Sequence, residues 1–205
     1  MKQTKERILT TSLDLFNEFG QVNVSQRKIT KEMGISPGNL TYHFQKKEDI
    51  ETTLYFELVS LLDHEISELD HQNITLSLLM DLSNKVLRCF YEYRFIMLDF
   101  VNIMRTNRII SEHYKELSIL RQAQFMRYMN QLISDGIFRK EELPNEFKNL
   151  YTRIQIISDF WVSHAEIEQG ELKETYINKY EQIIYQAIYP YLTIKGKGES
   201  NIKTR

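Results

Sequence analysis

The chain has 205 residues, 42% hydrophobic and 26% charged, enough for the core of one or two ordinary domains. Three prolines and seven glycines leave little loop material, so long helices are expected, and a single cysteine, Cys89, excludes an internal disulfide and fits a reducing compartment. The net charge of −2 divides unevenly, with +2 on residues 1–50 and −4 on the rest, a weak cue to a polyanion-binding end on an acidic body.

The opening MKQTKERILTTSLDLF is interrupted by charge, and no apolar run is long enough to span a bilayer. The expectation is a cytoplasmic protein with no signal-peptide core and no membrane partner. Ile8, Leu9, Leu13, Phe16 and Phe19 fall on one helical stripe, predicting a first helix over about 3–19 that ends at Gly20. Lys2, Lys5 and Arg7 near its start read equally as cations reaching a phosphate backbone or as a solvated helix end.

The next stretch, VSQRKITKEMGISPGNLTYHF from Val24 to Phe44, reads as two short helices joined by a tight turn. Ser25 is placed to cap the first, about Gln26 to Met33, and Gly34 supplies a left-handed residue at its end. Ile35 points inward, and Ser36-Pro37 restart the chain as cap and first helical residue. The second helix, to about Phe44, is too short to be stable alone and so serves to present side chains. That is the logic of a helix-turn-helix, whose second helix enters the DNA major groove. The first helix should pack on Ile29, Met33, Leu40 and Phe44 to make a three-helix head.

Within it, Gly38 allows close approach to DNA, and Asn39 can pair bidentately with adenine. Arg27 suits guanine or a phosphate. Ser25, Gln26, Ser36, Thr41, Tyr42, His43 and Lys47 offer donors for phosphate oxygens. The competing reading is that Tyr42 and His43 only close the small core.

The segment FNEFGQVNVSQRKITKEMGISPGNLTYHFQKKEDI resembles the N-terminal DNA-binding domain of the TetR family of bacterial transcriptional regulators. The Gly-Ile-Ser-x-Gly-x-Leu turn, the Tyr-His-Phe ending and the following Lys-Glu-Asp fall in register over roughly the first fifty residues. The resemblance implies an all-α fold: a helix-turn-helix head followed by an antiparallel helical domain for ligand binding and dimerisation. It also implies that Ser25, Gln26, Arg27, Ser36, Pro37, Gly38, Asn39, Thr41, Tyr42, His43 and Lys47 are the DNA-contacting positions. Two departures stand out. Thr41 replaces a second aromatic usual in the family, and Lys46 replaces a Ser or Asn cap.

The rest of the chain carries helical layout rather than sharp motifs. A helix over about 46–69 has Ile50, Leu54, Leu58, Leu61 or Leu62, Glu65 and Leu69 along one face, with Glu48 and Asp49 suiting its positive end. Further helices are expected at about 74–90, 92–105, 111–135, 145–168 and 172–191. The division is 1–47 head, 48–192 body and 193–205 a polar tail. The aromatic and methionine-rich segments offer Met97, Phe100, Met104, Phe125, Tyr128 and Met129 as pocket lining, although ordinary core is the alternative for each. Trp161 and His164 are added as lining, His164 as a polar anchor for a ligand or else a hydrogen-bonded core histidine. By resemblance the last two helices pair with their symmetry mates, giving Ile154, Ile157, Trp161, Tyr176, Tyr180, Ile184 and Ile188 as interface candidates.

Catalytic and metal patterns are missing from the sequence. His64 and His71 are seven apart, Cys89 has no cysteine partner, and there is no Gly-rich phosphate loop, nucleophile elbow or paired carboxylate constellation. No metal, cofactor or enzymatic activity is expected. The expectation is a homodimeric, sequence-specific DNA-binding repressor released from a palindromic operator by a small-molecule effector. The alternative is an adaptor or architectural protein using the same head without such a switch.

Overall fold

A computed structural model describes residues 2–70 and 72–199; Met1, His71, residues 200–205 and the side chains of Lys2 and Asp70 lie outside the described residues. The described chain is helical: α1 (Lys2–Phe19), α2 (Gln26–Met33), α3 (Pro37–His43), α4 (Lys47–Asp70), α5 (Leu76–Glu92), α6 (Arg94–Leu98), α7 (Phe100–Thr106), α8 (Arg108–Ser134), α9 (Glu146–Gln169), α10 (Ile177–Ile188) and α11 (Ile194–Glu199). Among the described residues there is no strand, only an isolated antiparallel bridge between Phe138 and Leu192. None of these helices is long and apolar enough to cross a membrane.

The head follows from local rules. Ser25 Oγ accepts the Lys28 amide at 3.2 Å and Ser36 Oγ the Asn39 amide at 3.3 Å, so both short helices have satisfied first turns. Gly34 closes α2 at φ 66°, a region that favours glycine. Ile8, Phe16, Ile29 and Leu40 meet in a closed core with Val24 and Phe44. Phe19 departs from the expected stripe. At the last residue of α1 it is left at the edge, exposed, with the Lys28 ammonium 3.0 Å from its ring centre, while Leu15 is buried.

In α4 the missing cap is partly replaced, since the Lys46 amide donates to Asp49 Oδ2 at 2.8 Å. Ile50, Leu54, Leu58 and Leu69 turn inward; of the two alternatives Leu62 is half-buried and Leu61 exposed. The helix expected over 92–105 is broken. Asp99 leaves helical geometry (φ −111°, ψ 20°) because its carboxylate is held by Gln21 Nε2 at 2.9 Å and Asn102 Nδ2 at 3.1 Å, giving α6 and α7. Periodicity cannot see such a tertiary bond. Likewise α8 begins three residues early because Asn107 caps it, accepting the Ile110 amide at 3.2 Å.

The segment read as a polar tail is ordered in its described part. The Thr193 amide donates to Ile137 O at 3.0 Å and the Arg139 amide to Tyr191 O at 2.9 Å, and Gly196 is buried against the α8–α9 loop. A Cβ at position 196 would sit 2.3 Å from Ile137 O, whereas one at Gly198 would meet nothing within 4 Å. Gly196→Ala therefore forces α11 off its seat. It should cost about 1–3 kcal/mol by overpacking and lower Tm by several degrees in calorimetry, with Gly198→Ala unchanged. Equal Tm values for the two variants would show that α11 is not packed there.

Candidate functional site

The outer face of the head is built by α3, which gives one side chain, Leu40, to the core and turns the others outward. Ser36, Pro37, Gly38, Asn39 and Thr41 are exposed, as are Ser25 and Arg27 on α2. Tyr42 is 69% exposed, its ring edge-on to that of the half-buried His43, so Tyr42 does not close the core. The Arg27 and Asn39 side chains have no hydrogen-bond partner among the described residues, whereas several neighbours are engaged. Gln26 Nε2 donates to Phe44 O at 3.3 Å and Gln45 O at 3.4 Å, tying α2 to the end of α3. Thr41 Oγ1 donates to Pro37 O at 3.0 Å. Lys47 Nζ donates to Gln21 O at 2.7 Å, which occupies one of its three protons.

A Cβ on Gly38 would meet nothing within 4 Å. Beside α3, Ser25–Arg27 and Gln45–Glu48 wall a shallow groove onto which the N-termini of α2 and α4 open together. Arg27, Lys46 and Lys47 stand there with the two helix starts, against one carboxylate on the same wall, that of Glu48, and Asp49 at the α4 cap.

The second feature is a cavity of about 240 Å³ in the body, walled by α4, α5, α8 and α9 with Met97, Phe100 and Ile188. Of the expected lining residues, Met97, Phe100, Phe125 and Tyr128 are on its wall. Four are not. Met104 packs half-buried beside the core, Met129 and Trp161 are core residues, and His164 lies on the surface with Nδ1 2.6 Å from Tyr180 Oη.

Sequence reasoning missed the polar end of this cavity. Gln155 Nε2 donates to Tyr114 Oη and to Ser118 Oγ, both at 2.9 Å, and Tyr114 Oη donates to Asp159. Asp159 is only 8% exposed, and burial pushes its carboxyl up to about 6, with the Tyr114 hydrogen bond pulling the other way. Burial and that same carboxylate raise the Tyr114 phenol well above its ordinary value. Gln155 and Asp159, four apart and so on one face of α9, were the available signal. Arg121, also on the wall, pairs with Asp63 and donates to Gln124 Oε1 at 2.7 Å.

Head and cavity meet at α6. Asn17 of α1 donates to Glu92 O at 2.7 Å and accepts the Phe95 amide at 3.0 Å, while the Phe16 and Phe95 rings lie 5.1 Å apart. The same short helix carries Met97, whose carbonyl accepts from Ser163 Oγ at 2.9 Å, and Phe100 follows just past the Asp99 break.

The family description "Bacterial regulatory proteins, tetR family" matches residues 8–50, and "Bacterial transcriptional repressor" of the TetR type matches residues 59–199. The chain belongs to the TetR family. Such proteins are DNA-binding transcriptional regulators with a helix-turn-helix head. An HTH-type transcriptional regulator of Staphylococcus aureus (strain USA300) is 41% identical over 49 residues, which is 24% of this chain and 26% of that protein, so the chain spans about a quarter of the length of the curated relatives it matches. Among solved structures, a TetR-family transcriptional regulator from Marinobacter aquaeolei VT8 is similar at a TM-score of 0.83 and 25% identity, over 96% of this chain and 94% of that one. A transcriptional regulator from Saccharomonospora viridis in complex with choline shares the fold at 0.72 and 18% identity, over 92% and 97%.

For this TetR-family regulator, the expected dimer contacts need correction. Trp161, Tyr180, Ile184 and Ile188 are each at most 4% exposed within one chain, and Ile154 and Ile188 line the cavity, so these side chains are already used. Ile157 and Tyr176 are half-buried in the same packing. The physical reason is that α9 is apolar on two sides, and the face with the more regular stripe is the inner one. Its outer face carries Ile156, Phe160 and Ile167, all exposed.

Asp159 also makes a stability prediction. Its folded pKa lies above its ordinary 3.8, so the native state holds the extra proton and the group's contribution to stability declines as pH rises from about 4 to 6. Asp159→Asn should stabilise the regulator by about 1–3 kcal/mol at pH 7 and by little at pH 4, read from denaturant melts at the two pH values. A variant less stable at pH 7 than at pH 4, relative to wild type, would contradict it.

Proposed function

We propose that this regulator is a homodimeric repressor, released from a palindromic operator by a small molecule that enters the body cavity. The observation that carries this reading is α6, a helix of five residues that meets α1 of the head through Phe95 and the cavity through Met97. An occupant that displaces Met97 or Phe100 must either leave α6 in place and be excluded, or move α6 and with it Asn17 and Phe95. A ligand with different affinity for the two arrangements then shifts head spacing and operator affinity together. The match to a repressor description over residues 59–199 supports the sign, and a fold relative solved with choline supports a small-molecule effector.

On this reading Asn39 and Arg27 read base edges, Gly38 lets α3 approach closely, and Tyr42, His43, Ser36, Pro37 and Thr41 lie against the backbone. Ser25, Gln26 and Lys47 set the α2 and α4 N-termini on phosphates. Two copies pair through the outer face of α9, around Ile156, Phe160 and Ile167, because an apolar row this exposed is the kind of surface a second copy covers.

Footprinting on DNA upstream of its own coding region should reveal paired half-sites about one helical turn, or a related spacing, apart. Protection no better than on random DNA would overturn the proposal. Asn39→Ala should cost about 1–3 kcal/mol on the operator and relax base choice at one position per half-site. Lys47→Ala should weaken specific and random DNA alike and reduce the salt slope by about one. In light scattering, Phe160→Glu should shift the mass from dimer to monomer and abolish tight operator binding; a persistent dimer would move the interface elsewhere.

A further inference from the structure

Only two charged side chains, Arg121 and Asp159, are among the residues that line the body cavity. They are not equivalent. Arg121 is neutralised by Asp63, which stands off the wall, and its guanidinium also holds Gln124. Asp159 has no cation beside it among the described residues; Tyr114 is its one hydrogen-bond donor, bound at Oδ2. The cavity therefore has one uncompensated negative charge.

The hydrogen-bond directions reinforce that sign. Both amide protons of Gln155 are spent, one on Tyr114 Oη and one on Ser118 Oγ. Tyr114 thus accepts from Gln155 and turns its single proton on Asp159. The chain of donors ends at the carboxylate, whose second oxygen remains an acceptor. Two aromatic rings share the cavity wall: those of Phe100 and Tyr114 lie 5.1 Å apart at 75°, edge to face with each other.

We propose that the effector is a small organic cation, an amine or quaternary ammonium with an apolar body, whose charge is set against Asp159 and the Phe100 and Tyr114 rings. Burying a carboxylate without a counter-charge is costly, and a cation that completes the pair removes that cost. Aromatic faces add cation–π attraction in a desolvated site. The space, about 240 Å³, lies below the roughly 300–1,000 Å³ of drug-sized sites, so the body of the ligand is small. A carboxylate or phosphate ligand would meet Asp159 as a like charge, and a neutral one would leave it unpaired. A metal ion is poorly served, for no group of three metal-ligating side chains occurs among the described residues. Burial, which holds the Asp159 carboxyl near 6, still leaves it mostly ionised at neutral pH.

The inference rests on the cavity being the effector site, and its test separates the two. Titration calorimetry on the full chain compares benzyltrimethylammonium with its neutral carbon isostere, neopentylbenzene, and with the anion phenylacetate. The cation should bind at least tenfold more tightly than either and should raise Tm where the isostere at equal concentration does not. Asp159→Asn should lose at least tenfold in affinity for the cation and none for the isostere. Should that variant fail to fold, the Tm comparison on the wild-type chain decides alone. An isostere or anion that matches the cation, an Asp159→Asn variant that binds the cation as wild type does, or no binding at millimolar cation overturns the inference. If the cation binds at Asp159 yet operator DNA stays bound, the ligand class stands and release fails. If a neutral or anionic compound releases DNA and the cation does not, release stands and the ligand class fails.

Discussion

Asn17 uses both ends of its amide across the join between α5 and α6, giving a proton to Glu92 O and taking one from the Phe95 amide. That residue belongs to the head, and what it holds belongs to the wall of the body. With the Phe16–Phe95 ring contact and the Gln21–Asp99 bond, it makes α6 the shared part of two packing units. The interaction matters because α6 is too short to hold its own shape; a five-residue helix is defined by what its termini touch. Its Phe95 amide is bound by Asn17 of α1, its last turn ends at Asp99, and its Met97 carbonyl accepts from Ser163 of α9. Geometry at either end is therefore communicated through few bonds, each of which can be removed one at a time.

The cavity sets a second constraint. Trp161 stacks with Tyr91 and packs on Tyr180, and Met129, Leu132 and Leu150 are fully buried elsewhere in the body, so most of it is closely packed. Against that background, an apolar chamber with one buried acid stands apart from the economy of the rest of the core. The acid is held by a directed series of hydrogen bonds rather than left to reach solvent. At Asp159 burial of the carboxylate opposes stability, a cost that the proposed cation would offset.

Much of the head was legible because its signals are local. Ser25, Gly34, Ser36 and Pro37 each act within four residues of themselves, and their capping bonds occur where the residue types place them. The end of α8 is of the same kind, with Gly136 at φ 72° just past its last turn. The body was legible as helices and little more. The Asp99 break depends on Gln21, seventy-eight residues away, and the Tyr114–Asp159 bond spans forty-five. No periodicity encodes either. Four of the interface candidates, Trp161, Tyr180, Ile184 and Ile188, are buried within one chain for a different reason. α9 is apolar on two sides, so period alone cannot say which side meets its own chain, and Ile154 and Trp161 proved to be on the inner one while Ile156 and Phe160 face out. His164, three residues past the buried Trp161 and sharing Tyr180 with it, falls at the solvent edge of that side of α9 and binds Tyr180 Oη there.

Gly38 ends up as the most telling residue on the outer face. A methyl group there would touch nothing, and alanine would favour the helix by about 1 kcal/mol, so no demand of the folded chain explains a glycine at that place. The helix gives up rigidity in its first turn and gains a bare strip of backbone. On the reading proposed above, that open strip is where a DNA backbone lies against the start of α3.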